Sequence, residues 1–194
     1  MSASFTAVLT STGGRLMDDQ RAEVSGGQVI TRTPGGDRRV VEVLDSTRGV
    51  EVLHDRRAPD STATIDHIVV GPDGVYVVSA RKDEGRVERR RPRGRGDEQL
   101  YVHGRDCTAV VDGVLAQVDM VRDALCDAFP EVAVRGVLCF VGCSWGVRMR
   151  PKVVKGVTSV WPIALPALVA APGPHAATLQ TLAEHLRRRL PPAG

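Results

Sequence analysis

The sequence predicts an α/β domain in which a sheet is flanked by helices. Three observations carry that prediction. First, VEVLHDR, TIDHIVVG and VYVVSAR follow one another as strand-like runs. The last two meet at the PDG of residues 72–74, where Pro presets a turn and Gly accepts a positive φ. Second, Val110, Val114, Val118, Val121 and Leu125 recur at helical spacing within residues 108–129. Third, VRGVLCFV is an unbroken apolar run, as in a strand covered on both faces.

The remaining elements follow in order. Residues 1–34 mix Ser, Thr and Gly with weak strand-like pieces such as GQVITRT, and read as a poorly ordered extension. Residues 35–194 are expected to form one domain. GGDRRVVEVLDST places Val40, Val41 and Leu44 on one side of a short helix, with Arg38 and Arg39 outside. After the third strand, RVERRR and QLYVHGR read as two polar strands around an exposed tip, PRGRGDE. Thr108 is the expected cap of the long helix. VVKGVTSVW follows as a weaker strand pair, and WPIALPALVAA opens a helix with Pro at its start. The closing helix, HAATLQTLAEHLRRRL, turns Leu179, Leu182, Leu186 and Leu190 inward, with its arginines near the end where the dipole favours cations.

A chain of 194 residues with 42% hydrophobic and 25% charged residues has the composition of a globular domain with a real core. It contains no run of about 18 apolar residues, which argues against a membrane span, and no cationic start that would suggest a signal peptide. A cytoplasmic location is the expectation. Cys107, Cys126, Cys139 and Cys143 match no metal-ligand spacing and read as buried free thiols. The net charge of +3 is small, yet eight basic residues stand against three acids across residues 81–95. Such an arginine-rich stripe can grip phosphates, and it can equally be a solvated hairpin.

The acid inside the second strand is the first candidate for chemistry. Side chains alternate across a strand, so Asp66 shares a face with residues 68 and 70, and Ser79 shares one with residues 77 and 81. If Asp66 lines a cleft, the third strand can present Ser79 and Arg81 into the same cleft. Plainer readings stand beside this one. A lone Asp can bond a nearby amide, His67 is expected on the opposite face, and Gln117 can cap a buried backbone group. Tyr101 and Trp145 can stack on bases or simply pack.

IDHIVVGPDGVYVVSARKDEGRV resembles the central block of the nuclease-related domain (NERD) family, whose members look like PD-(D/E)xK nucleases. The likeness continues through LYVHGRD, the helix with Gln117, RGVLCFV and the Trp161-Pro162 step, and it is greatest to the short, single-domain actinobacterial members. The resemblance implies a restriction-endonuclease-like αβββαβ core with a mixed sheet. It also implies bacterial origin and DNA cleavage dependent on Mg²⁺ or Mn²⁺.

Residue by residue, the resemblance makes Asp66 the first metal ligand. Position 79, where the family has its second acid, is Ser, and position 81, where it has Lys, is Arg. Asp37 stands near a supporting Glu of the family's first helix, and Gln117 matches a helix Gln that faces the site. Lys82 and Glu84 can replace the missing groups only if a bulge turns them inward. The expectation is a degenerate member, a pseudoenzyme that binds DNA or another nucleic acid through Arg81, Lys82, Arg86, Arg89, Arg90, Arg91, Arg93 and Arg95. The alternatives are an active metal-dependent nuclease and a protein-interaction module.

Overall fold

The computed structural model describes residues 22–25, 28–31, 34–57, 63–91, 97–147 and 149–193. Within the stretch read as an extension, β1 (Ala22–Ser25) and β2 (Gln28–Thr31) pair as an antiparallel hairpin in a sheet of their own. Helix α1 (Pro34–Asp45) follows, then β3 (Glu51–Arg57), β4 (Thr64–Gly71) and β5 (Gly74–Arg90). Two short strands, β6 (Gln99–Val102) and β7 (Arg105–Asp106), lead into α2 (Thr108–Leu125) and β8 (Val134–Ser144). The chain ends with β9 (Lys152–Val154), β10 (Val157–Val160), a 3₁₀ turn at Pro162–Ala164, α3 (Leu165–Val169) and α4 (Leu179–Arg189). The core is therefore αβββαβ.

The principal sheet runs β3-β4-β5-β8-β10-β9. It is mixed: β5–β8 and β8–β10 are parallel, and the other pairs along this path are antiparallel. Helices cover both faces. Val40 and Leu44 of α1 and Leu165 and Val169 of α3 pack with Val69, Val78 and Cys139. Val114, Val118 and Val121 of α2, with Leu182 and Leu186 of α4, pack on the other face against Ile68, Val77 and Leu138. Every residue of β4 is buried, which is why TIDHIVVG lacks a polar face apart from Asp66 and His67. At the border of the sheet, Arg57 N donates to Pro191 O (2.9 Å) and Ala193 N to Asp55 O (2.8 Å), so residues 191–193 lie along β3.

Four expectations need correction. VYVVSAR and RVERRR are not separate strands but one strand of 17 residues. A bulge between Lys82 and Gly85 sets two residues against one of β8 and keeps the ladder running. Gly85 is required there: its φ is +94°, and a Cβ would lie 2.5 Å from His103 Nδ1. Thr108 does not cap α2. Its hydroxyl accepts from Leu100 N, while its own N–H donates to Asp106 Oδ1 at 2.8 Å. WPIALPALVAA forms a 3₁₀ turn and a five-residue helix rather than one helix, with a second Pro, Pro166, in its first turn. Finally, the thiols are all free, but only Cys139 is fully buried and Cys126 is exposed.

Candidate active site face

The β4–β5 register, His67 with Val78 and Ile68 with Val77, brings Asp66 opposite Ser79 when continued by one step. Ser79 Oγ donates to Asp66 Oδ2 at 2.9 Å. Asp66 is 9% exposed on a wholly buried strand, so the hydroxyl offsets part of the cost of enclosing a carboxylate. Arg81 follows two residues on along the same face. It does not turn back toward Asp66 but donates Nε to Asp83 Oδ2 at 3.3 Å, and both side chains are largely covered, at 24% and 18% exposure.

From α2, Gln117 Nε2 donates to Thr64 O at 3.1 Å, two residues before Asp66. Its Oε1 is buried and has no hydrogen-bond partner among the described residues. Gln117 therefore holds the start of β4. Asp37 falls within α1, and its side chain lies outside the described residues. Lys82 and Glu84 are exposed, flanking Asp83 on either side.

Asp83, Cys107 and Cys143 also belong to this region and were not expected. Cys143 Sγ donates to Asp83 O at 3.2 Å. Burial first, and then the Asp83 carboxylate, push the Cys143 thiol up to about 11. The same two influences raise Cys107, against an opposing effect of Arg81. Both sulfurs are thus protonated thiols at neutral pH. Asp83 was detectable in principle, because the alternation 79, 81, 83 continues onto it. Among the described residues no three His, Cys, Asp or Glu side chains converge as metal ligands.

The opposite face carries His67, buried at 1% exposure, with its Nδ1 at 2.9 Å from His54 Nδ1. His54 Nε2 in turn lies 2.9 Å from Asp45 Oδ1. Beyond the bulge, the arginines of β5 and the adjoining Arg91 share two glutamates. Arg90 and Arg86 reach Glu88 at 2.7 and 3.7 Å, and Arg91 and Arg89 reach Glu98 at 2.7 and 3.4 Å. The Arg90 guanidinium also sits over the Tyr101 ring at 4.2 Å. Arg93 and Arg95 lie outside the described residues.

Among the described residues no helix is long and apolar enough to cross a membrane. Neither a curated protein nor a solved structure matches this chain. The nuclease-related domain, NERD, matches residues 34–141, more than half of the chain and the whole segment from α1 into β8 that builds the Asp66 face. With that match and an αβββαβ core around a mixed sheet, the chain belongs to the nuclease-related domain family.

Proposed function

We propose that the protein binds nucleic acid through the Asp66–Arg81 face and the arginine-rich outer half of β5, and does not cleave it efficiently. The observation that carries this reading is the 2.9 Å hydrogen bond from Ser79 to Asp66, at the position where the family has a second acid. A hydroxyl that donates to the carboxylate takes up one of its lone-pair directions and brings no charge of its own. Mg²⁺ sheds water reluctantly and favours carboxylate oxygens. The donor set fits Mg²⁺ or Mn²⁺ poorly, because Asp83 is engaged by Arg81 and a permanent guanidinium stands on the same face. Arg81 suits static phosphate contact better than proton handling, because a planar guanidinium fork offers several donors and no acceptor.

One feature favours the active alternative. The bulge leaves Asp83, rather than Glu84, as a second carboxylate on the site side of β5. Digestion of plasmid and single-stranded DNA with Mg²⁺ or Mn²⁺ separates the readings. Wild type, Asp66→Ala and Ser79→Asp/Arg81→Lys are compared, alongside retention of DNA at rising salt. The expected result is retention that weakens steeply with salt, without cleavage above the Asp66→Ala background. Cleavage that Asp66→Ala abolishes would establish the active nuclease instead. No retention even at low salt would point to a protein-interaction module.

A further inference from the structure

The segment after β8 folds back against the outer half of β5 and encloses a concave pocket of about 470 Å³. That volume falls within the roughly 300–1,000 Å³ of small-ligand sites. Arg86 and Arg89 line it from β5, Arg150 and Lys152 from the returning segment, and Trp145 from the end of β8, with Glu88 the one acid in the lining. Glu88 is already held by Arg90 at 2.7 Å and lies a looser 3.7 Å from Arg86, and Arg89 is held by Glu98 at 3.4 Å. The side chains of Arg150 and Lys152 make no ion pair or hydrogen bond among the described residues.

Two further observations describe the walls of this pocket. Trp145 is 5% exposed, and its Nε1 is buried without a hydrogen-bond partner among the described residues. Leaving such a donor unmet costs about 1–3 kcal/mol. Arg86 also approaches the backbone at Gly146 so closely that a Cβ there would lie 2.7 Å from Nη2, and the Gly146 φ of +71° suits glycine. The guanidinium thus touches the loop backbone while its side chain stays 62% exposed. Beside these cations, Met149 and Val153 are exposed apolar side chains at 54% and 43%.

We propose that this pocket is a phosphate-binding site for a nucleotide. Arg86, Arg150 and Lys152 engage the phosphate, and Val153 lies against the nucleoside. Forked guanidiniums and an ammonium match the several acceptor oxygens of a phosphate. The choice of a nucleotide as the phosphate carrier rests on the nucleic-acid reading above; the anion site itself does not.

Titration calorimetry at low salt tests it, with thymidine 5′-monophosphate as probe and thymidine as the control lacking phosphate. The full chain is compared with Arg150→Gln/Lys152→Gln and with Arg122→Gln/Arg188→Gln, which removes two exposed cations elsewhere. The monophosphate is expected to bind wild type and the Arg122/Arg188 variant alike, thymidine not to bind, and the Arg150/Lys152 variant to bind at least tenfold more weakly. Equal binding of monophosphate and thymidine overturns the proposal, as do equal binding by both double variants and no binding at millimolar probe. DNA retention separates this outcome from the functional one. Monophosphate binding without DNA retention leaves the pocket standing and removes the nucleic-acid reading. DNA retention with an Arg150/Lys152 variant unchanged in both measurements does the reverse.

Discussion

Ser79 Oγ lies 2.9 Å from Asp66 Oδ2 and donates to it, while Arg81, two residues further along the same strand face, is committed to Asp83 at 3.3 Å. The acid and the guanidinium thus share a face of the sheet without forming a pair with each other. Removing the hydroxyl isolates the first contact. Ser79→Ala leaves a buried carboxylate short of one donor and is expected to cost about 1–2 kcal/mol. For a chain of this size that is a fall in Tm of roughly 2–8 °C, read by calorimetry. An unchanged Tm would show that the hydroxyl contributes nothing to holding Asp66.

Restoring the family's acid makes a second test. Ser79→Asp places two carboxyls opposite each other, so the pair holds one proton more tightly than free carboxyls do. A carboxyl with a raised folded-state pKa contributes stability at low pH and loses it as pH rises. The variant is therefore expected to fall further below wild type at about pH 8 than at about pH 5. Millimolar Mg²⁺ should raise the Tm of Ser79→Asp/Arg81→Lys but not of wild type. A wild-type Tm that rises equally with Mg²⁺ would contradict the poor donor set.

The thiols predict a labelling order. Cys126 is exposed, whereas burial pushes Cys139 up to about 12 and burial with Asp83 pushes Cys143 up to about 11. Iodoacetamide at about pH 8 should modify Cys126 first, and Cys139 only on unfolding. The unfolded chain ionises these thiols first, so stability should decline as pH climbs from about 9, by up to about 1.4 kcal/mol per pH unit for each buried thiol. Peptide mass spectrometry and alkaline melting curves check the two halves.

Asp106 is the residue that satisfies the first N–H of α2, in place of Thr108. Its hydrogen bonds to Thr108 hold its carboxyl below the usual range. Asp106→Ala should cost about 0.5–1 kcal/mol, at the low end for a cap because the group is exposed. A depressed carboxyl stabilises above its unfolded pKa. The difference between variant and wild type should therefore vanish as pH falls through about 4 and below.

Much of the fold was legible because burial leaves a period in the residues. The largely apolar β4, the helical repeat of α2 and the PDG turn each declared their element and, through alternation, placed Asp66 and Ser79 on one face. The partner of Arg81 was hidden. Whether a guanidinium reaches the acid across the ladder or the one beside it depends on backbone geometry near a bulge, and residue types do not encode that distance. The continuity of β5 was masked for a related reason. Its outer half is charged, so the alternation that marks a half-buried strand gives way to a run of arginines that also suits a free hairpin. Thr108 was misjudged because two residues with suitable oxygens, Asp106 and Thr108, sit within one turn of the helix start, and only coordinates decide which one bonds.

The strip formed by Pro191 and Ala193 along β3 has a bearing on self-association. Unsatisfied amides at the rim of a β-sheet invite a neighbour to add itself and extend the ladder without limit. Here the molecule occupies part of that rim with its own backbone, which disfavours fibre-like growth from this side and steers any assembly toward other surfaces.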